Sequence, residues 1–365
     1  MKIRDITKVL EDFAPLAFQE SYDNSGLLIG NKENTVTSAL LCLDVTEAVL
    51  EEAMAKSCNL IIAHHPLIFS GVKKLNGSNY VERIIIKAIK NDIAIYACHT
   101  NLDHVKAGVN LKICQKLGIV NTKILSPKAG LFRKLVTFIP HSHHQQVKTA
   151  LFDAGAGHVG EYSNCSFSSA GNGTFKASIN ANPYVGQLDA EHQESEIKLE
   201  TVYPVYAESN VIQALKIAHP YEEVAYDVFD LENRFSSVGS GMIGELEEEM
   251  KTEDFLVYLK KQMKADCVRY TKPLGSKVKK IAVCGGSGSF LLKEAINAGA
   301  DVFVTADFKY HQFFDADNRL IIADIGHYET EQFTSEIFYE IISKKFPTFA
   351  VRFSEINTNP INYLI

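Results

Sequence analysis

Residues Asn59–Pro66 have the sequence NLIIAHHP, in which four apolar residues lead directly into two adjacent histidines. A short apolar run of this kind is typical of a buried strand. Similar runs occur on either side, ALLCLDV at Ala39–Val45 and IAIYACH at Ile93–His99, and helical segments at 46–56 and 80–91 separate them. Apolar strands that alternate with amphipathic helices predict an α/β fold, with a parallel-rich sheet covered on both faces.

The same alternation returns near the C-terminus. Three apolar runs predict further strands there, at Lys280–Cys284, Asp301–Thr305 and Leu320–Asp324. Segments with helical spacing lie between or after them, at about 290–298 and 329–345. Both ends of the chain therefore belong to one α/β domain, which we predict to comprise residues 1–129 and 239–365.

Residues 130–238 follow a different pattern and predict an inserted α+β domain. Strand and helix segments occur in an order typical of a ferredoxin-like module, with helix-linked pairs of strands repeated once. The predicted segments are Lys134–Ile139, Gln145–Ala154, Ile197–Pro204, Asn210–Ala218 and Ala225–Asp230. The Gly- and Ser-rich stretch at 155–173 is interpreted as long hairpin loops.

Composition excludes several classes of protein. The net charge of −7 gives no basic field that would attract nucleic acid. The seven cysteines form no C-x-x-C pair, so neither a disulfide framework nor a thiolate zinc site is indicated. The N-terminus lacks the apolar run of a signal peptide, and no apolar stretch approaches the roughly 20 residues that span a bilayer. A cytoplasmic protein without a membrane partner is expected.

Three predicted strands end in residues that commonly bind metals, and these residues carry the functional hypothesis. They are His64 and His65 after LIIA, Asp103 after IYACHTNL, and His327 and Glu331 after LIIADIG. Ligands of parallel sheets bind beyond the carboxyl ends of the strands, so these side chains converge if the strands are near neighbours. Three imidazoles and two carboxylates predict a site for two divalent cations, of zinc, iron, manganese or cobalt.

The spacing of these residues supports a two-metal site. His327 and Glu331 are four residues apart at the start of a predicted helix, so they share one face. His64 and His65 can splay at the exit of a strand and bind different ions. A lone histidine is more often a satisfied surface or core side chain, and His143 and similar histidines of the insert are interpreted in this way. The adjacent pair His64 and His65 is harder to explain as satisfied surface or core side chains, because burying unpartnered imidazoles costs free energy.

Other residues at the same predicted sheet edge are weaker candidates. His99 and His311 could move protons during catalysis. Asp44 and Asp307 could hydrogen-bond the metal ligands or contact a substrate. The sequence CGGSGS at Cys284–Ser289 could present backbone N–H groups to a phosphate, although a plain turn between strand and helix explains it equally well.

Six motifs in the same order resemble those of the Nif-three-like dinuclear-metal proteins, which are commonly labelled GTP cyclohydrolase 1 type 2 homologues. The motifs are YDNSGLLIG, LIIAHHP, ACHTNLD, VCGGSGS, TADFKYH and GHYETE. The resemblance implies that His65 and Asp103 hold one ion, that His64 and His327 hold the other, and that Glu331 bridges them. Tyr22 stands where that family usually has Trp, and Ala306 replaces the glycine of a Thr-Gly-Asp motif.

The resemblance also implies features of the insert and of the assembly. The insert is similar to the CutA-like module of longer family members, which assemble as toroidal homohexamers with metal sites that face an internal cavity. Two functions follow as hypotheses. One is a metal-dependent hydrolase for a small-molecule substrate, in which water attacks the purine imidazole carbon of a nucleotide such as GTP and formate is released. The other is a non-catalytic regulatory or scaffold protein that binds metal through the same five ligands.

Overall fold

The computed structural model describes residues 1–364 of the 365-residue chain. The chain divides into two compact units. The core unit comprises Met1–Pro127 together with the segment that begins at Ser236, and the inserted unit comprises Lys128–Phe235. Within the described residues, no helix is both long and apolar enough to cross a membrane.

Strands and helices alternate through much of the described chain. The strands are β1 (Gly26–Ile29), β2 (Ser38–Cys42), β3 (Leu60–Ala63), β4 (Ala94–Ala97), β5 (Ile119–Pro127), β6 (Phe132–Pro140), β7 (Ser166–Lys176), β8 (Glu191–Pro204), β9 (Tyr226–Leu231), β10 (Gly239–Lys251), β11 (Arg269–Tyr270), β12 (Lys277–Ser287), β13 (Val302–Ala306), β14 (Ile321–Asp324) and β15 (Ala350–Phe353). The α-helices are α1 (Ile3–Phe13), α2 (Glu47–Ala55), α3 (Tyr80–Lys90), α4 (Thr100–His104), α5 (Val109–Lys116), α6 (His144–Asp153), α7 (Glu208–Ala218), α8 (Thr252–Gln262), α9 (Leu292–Asn297), α10 (His327–Glu331) and α11 (Thr334–Lys345). The mixed α/β class predicted from the sequence is confirmed.

The first sheet of the core unit has the strand order β1-β4-β3-β2-β15. All its pairs are parallel except β1 with β4. Every residue of β2, β3 and β4 is buried, as expected for parallel strands whose faces are both covered. Helices α2 and α3 contribute Val49, Leu50, Ile84 and Ile85 to the apolar cluster that packs on this sheet.

The second sheet of the core unit has the order β11-β14-β13-β12-β10-β5. Strands β12, β13 and β14 are parallel, and the outer strands pair antiparallel. The prediction of one sheet is therefore wrong, because the core strands form two sheets, and each of the two segments of the core unit contributes strands to both. Apolar runs identify strands but do not specify which strands pair. The chain leaves and re-enters this sheet on adjacent strands, where Pro127 is the register partner of Gly239.

The inserted unit contains one four-stranded antiparallel sheet with the order β7-β8-β6-β9. Helices α6 and α7 pack on it through an apolar cluster that includes Val147, Leu151, Val211 and Leu215. The chain order β-α-β-β-α-β with this strand order is the predicted ferredoxin-like arrangement.

One prediction within the insert needs correction. Ser166–Lys176 is a strand, β7, and is not a loop, although its sequence is rich in Gly and Ser. Each of its residues pairs with β8, whereas most of its side chains are exposed. Main-chain pairing alone forms this edge strand, so its sequence carries no apolar alternation that would predict it.

Candidate metal centre

The predicted ligands lie at the ends of strands that belong to two different sheets. His64 and His65 follow β3, and Asp103 lies on α4 after β4, the parallel neighbour of β3. His327 and Glu331 are the first and last residues of α10, which follows β14 in the second sheet. The site is therefore built from two sheets of the core unit and not at the edge of one. The five side chains nevertheless converge.

Glu331 lies between two groups of ligand atoms. Its Oε1 is 3.7 Å from His64 Nε2, and that nitrogen is 3.6 Å from Asp103 Oδ1. Its Oε2 is 2.9 Å from His65 Nε2 and 3.1 Å from His327 Nε2. Within each group the potential ligand atoms all lie within 4.8 Å of one another. Each group could hold one cation, with one oxygen of Glu331 directed to each.

This grouping differs from the one that the family resemblance implies. The structure places His64 with Asp103 and His65 with His327, instead of His65 with Asp103 and His64 with His327. Neighbouring residues at the exit of a strand point in different directions, so the two histidines face different groups. Motif order cannot reveal which group each one faces. The central position of Glu331 is the same in both schemes.

All three candidate imidazoles are held through Nδ1, which leaves Nε2 directed into the centre. The Nδ1 partners are the carbonyl oxygen of Cys98 for His64 at 2.9 Å, Asp44 Oδ1 for His65 at 2.7 Å, and Asp307 Oδ2 for His327 at 2.7 Å. A donor Nδ1–H fixes the tautomer in which Nε2 offers a lone pair, the usual arrangement of metal-binding histidines. Asp44 and Asp307 thus occupy the supporting positions expected of them.

Burial leaves polar atoms of the centre without hydrogen-bond partners among the described residues. The His64 side chain is fully buried and Glu331 is 3% exposed. His64 Nε2 and Asp103 Oδ1 have no hydrogen-bond partner in the described part of the chain. Leaving buried polar atoms unpaired costs free energy, and a divalent cation would satisfy both atoms at once. The donor set, imidazole nitrogen and carboxylate oxygen, fits such an ion.

The protonation of the centre reflects the same burial. Burial raises the pKa of Asp103 well above its usual value, and the charge of Glu331 raises it further. Burial also opposes ionisation of Glu331, but His64, His327 and His65 outweigh this effect and hold its pKa well below the usual value. For His65, burial acts to lower the pKa, but hydrogen bonds to Asp44 and Glu331 outweigh burial and raise the pKa to about 10. Metal binding would displace these protons.

Of the two catalytic candidates, His99 and His311, the structure brings only His99 to the centre. His99 lines the cavity above the centre, and its ring centroid is 5.3 Å from that of His64. Its Nδ1 is 2.8 Å from Asp23 Oδ1. Burial would raise the pKa of Asp23, but hydrogen bonds from His99 and Thr100 hold it far below the usual value. Asp23 is therefore an ionised carboxylate, and its hydrogen bond to Nδ1 fixes the orientation of the His99 ring.

His311, in contrast, is not brought to the centre. It lies in a 3-10 helix, Tyr310–Ala316, where it is exposed and packs against Tyr310 and Phe314. It is not among the residues that line the cavity. Asp307, three residues before this helix, hydrogen-bonds His327 at the centre. His311, four residues later, lies away from the centre.

The glycines of Cys284–Ser289 permit close packing against α10. The N–H of Gly285 donates to Asn110 Oδ1 at 3.0 Å, and the N–H of Gly286 donates to Thr330 Oγ1 at 2.9 Å. These two amides are therefore not available to a phosphate. A Cβ on Gly286 would lie 2.4 Å from Glu331 Oε1, and the φ of this residue is +61°. The motif contributes space for Glu331.

The sequence gives no sign that Thr358 and Asn359, in the C-terminal segment, support the centre. The hydroxyl of Thr358 donates to Asp44 Oδ2 at 2.6 Å, and Asp44 in turn holds His65. Asn359 Nδ2 donates to Glu329 Oε1 at 3.0 Å, within α10. Thr358 and Asp44 are separated by 314 in residue number, so no local sequence pattern predicts this contact.

Above the centre is a cavity of about 730 Å³. Tyr22, Phe69 and Phe290 line it and are 63%, 53% and 63% exposed. Tyr22, one of the two departures from the family motifs, is thus a cavity residue. Ala306, the other, is fully buried at the end of β13 and does not line the cavity.

Fold and site together define an α/β protein with two sheets in its core and with histidine and carboxylate groups that could hold metal ions. Comparison with known proteins then identifies the family. The chain belongs to the family described as Duf34/NIF3 (NGG1p interacting factor 3), whose profile matches residues 1–360. The family expected from the six motifs is confirmed.

Relatives match over their full length. A protein of Bacillus subtilis (strain 168) named GTP cyclohydrolase 1 type 2 homolog is 38% identical over 367 residues, which cover 99% of this chain and 98% of the relative. A protein of Staphylococcus epidermidis with the same name is 39% identical over 371 residues, the whole of both chains. Among solved structures, a Bacillus cereus protein described as related to NIF3 superposes with a TM-score of 0.82 at 39% identity, covering 100% of this chain and 99% of the other.

Proposed function

We propose that this chain binds two divalent cations and acts as a metal-dependent hydrolase on a nucleotide. One observation carries the proposal, namely that Glu331 directs one carboxylate oxygen to the His64–Asp103 group and the other to the His65–His327 group. A carboxylate shared in this way is typical of sites that hold two ions close together. Two ions held there would supply a water of lowered pKa and would neutralise the negative charge that develops as this water attacks.

The side chains of the centre have separate roles in this mechanism. His64 and Asp103 would hold one ion, His65 and His327 the other, and Glu331 would be common to both. Asp44, Asp307 and the carbonyl oxygen of Cys98 keep the imidazoles oriented. His99, positioned by Asp23, lies on the cavity side of the centre, where it can receive and return a proton.

The name shared by the relatives suggests the reaction. In a cyclohydrolase reaction, one water adds to the imidazole carbon of the purine and a ring C–N bond breaks, which leaves a formamide. A second water hydrolyses the formamide to formate and a free amine. His99 accepts the proton of the attacking water and donates it to the departing ring nitrogen. GTP is the first substrate to test, because it appears in the name of relatives that are 38% and 39% identical.

A non-catalytic function is the second candidate, and the origin of the ligands favours it. One pair of ligands, His327 and Glu331, lies more than two hundred residues beyond the others. Bound ions would thus tie together two distant segments of the core unit. In this proposal the protein is a metal-binding regulator or scaffold, and the insert is a CutA-like module that assembles a homohexamer.

Metal analysis and turnover distinguish the two functions. Protein purified without chelator should contain about two ions per chain, of zinc, iron, manganese or cobalt. The same protein should release formate from a nucleotide. A metal content of none, or of a single ion, would exclude the two-metal centre. Two bound ions without turnover of any nucleotide or phosphoester would exclude the hydrolase and leave the scaffold.

A further inference from the structure

We propose that the cavity recognises an uncharged planar ring, so that its substrate class is a nucleoside or a nucleotide with few phosphates and not a nucleoside triphosphate. The inference rests on the proposed function for the chemistry at the metal centre. The remainder of the cavity would select the molecule that reaches this centre. The charge of the cavity, the geometry of attack at the centre and the aromatic lining support this inference.

The first observation is the charge of the cavity. Among the residues that the structure describes, neither Lys nor Arg lines it. Its carboxylates are Glu20, Asp103 and Glu331, and Glu20 lies 3.2 Å from His104. Proteins recognise phosphate groups mainly through Arg, Lys and free backbone amides. The amides of Gly285 and Gly286 already donate to side chains of the protein.

The second point is geometrical, because only one part of a nucleotide could face two ions bound at the centre. For water to attack the purine ring, the ring must lie over the centre. The phosphates would then extend away from the positive charge of the two ions. They would face a cavity wall in which the described residues include neither Lys nor Arg. A triphosphate placed there would lose hydration without gaining cationic partners, so the additional phosphates would weaken binding.

The third observation is the aromatic lining. Tyr22, Phe69 and Phe290 all line the cavity although more than half of each residue is exposed. The Tyr22 and Phe69 rings lie 6.3 Å apart, and the Phe69 ring is edge-on to His99 at 6.1 Å. Exposed aromatic groups of this kind mark binding surfaces. Flat rings stack on them without regard to charge. A cavity of about 730 Å³ has room for a nucleoside.

Equilibrium binding tests the proposal directly. Protein loaded with two equivalents of zinc is titrated calorimetrically with guanosine, GMP and the Mg²⁺ complex of GTP. Guanosine is expected to bind at least as tightly as GTP. Tyr22→Ala should weaken guanosine binding by about 5- to 30-fold, the effect of losing one stacked ring. Tyr22→Phe should restore most of it. Phe314→Ala, which removes an exposed aromatic side chain outside this cavity, is the control.

The outcomes separate this inference from the proposed function. GTP binding tighter than guanosine would overturn the inference, as would unchanged guanosine binding in Tyr22→Ala or the absence of guanosine binding. Formate release from the same samples reports on the hydrolase. Guanosine binding with the expected Tyr22 dependence but without formate release would retain the recognition and overturn the catalysis.

Discussion

At the scale of single residues, the centre depends on Glu331. It is 3% exposed, and its two oxygens face different groups of ligands. A buried carboxylate is stable there because His64, His327 and His65 surround it and hold its pKa low. Among the residues that the structure describes, no other side chain is common to the His64–Asp103 group and the His65–His327 group. Loss of its charge should therefore affect both ions, whereas loss of His327 alters only one group.

Glu331→Gln tests this role. The amide keeps the size of the side chain but loses the negative charge that allows a carboxylate to bridge two cations. We expect the metal content to fall from about two ions per chain to about one, and any hydrolytic activity to fall by roughly 100-fold or more. Elemental analysis and formate release measure both effects. His143→Ala, in the inserted unit, is the control, and equal metal content in the two variants would exclude a bridging role.

Thr358 acts on the centre through Asp44. Its hydroxyl donates to one oxygen of Asp44, and the other oxygen holds His65 Nδ1. Partners of this kind fix the orientation of the imidazole and increase its basicity. Thr358 thereby belongs to the candidate metal centre, although it is not itself a candidate ligand.

Thr358→Val should weaken binding of one of the two ions by about 10- to 100-fold, the usual effect of losing such a partner. Valine keeps the shape of threonine and removes only the hydroxyl. Thr358→Ser keeps the hydroxyl and should bind metal like the unmodified chain. Titration against a chromophoric chelator measures the two affinities. Indistinguishable affinities in the Val and Ser variants would show that the hydrogen bond does not matter.

At the scale of elements, the centre requires close packing of β12 against α10. Gly286 lies where a side chain would collide with Glu331 and His327, and the Gly286 N–H donates to Thr330 of the same helix. Its positive φ is also unfavourable for residues other than glycine. The sequence CGGSGS is therefore explained by the geometry of two adjacent elements, with no need for a bound phosphate.

Gly286→Ala should distort the centre. The new Cβ would lie 2.4 Å from Glu331 Oε1, so the carboxylate must move away from one group of ligands. We expect reduced metal content and a loss of stability of at least about 1–2 kcal/mol from the left-handed backbone alone. Gly71→Ala is the matched control, because a Cβ on Gly71 would have no atom within 4 Å and its φ lies outside the left-handed region. Thermal unfolding and metal analysis of both variants measure the difference.

At the scale of the whole molecule, the chain forms the core unit from two separated segments. Strands β5 and β10 flank the insertion and pair with each other, and Pro127 is the register partner of Gly239. Register partners in an antiparallel ladder have Cα atoms about 4.5–5.5 Å apart. The two ends of the insertion therefore lie close together within the core unit itself.

Removal of Lys128–Phe235, with a short Gly/Ser linker between Pro127 and Ser236, should leave a core unit that folds and binds metal. All five candidate ligands lie outside the removed segment. Cooperative thermal unfolding and a metal content of about two ions per chain are the expected results. The same shortened chain with Glu331→Gln is the control for specific binding. An insoluble core, obtained while the isolated insert folds, would show that the core unit depends on the insert.

The sequence alone determined the central strands of the core unit, the α+β character of the insert and the five side chains that converge. Apolar runs identify β2, β3, β4, β13 and β14 because burial of both faces of a strand requires apolar side chains at every position. Histidine and carboxylate residues directly after such strands are conspicuous for the same reason. This information is local, so it can be read along the chain.

Only the tertiary structure decided how these parts combine. Three features depend on residues that are distant in sequence. The core strands divide between two sheets. His64 faces Asp103 while His65 faces His327, and Thr358 contacts Asp44. Pairing of strands depends on main-chain hydrogen bonds, which are the same for every residue type, and so leaves little trace in composition. For that reason β7 and the exact grouping of the ligands emerged only when the folded chain placed them together.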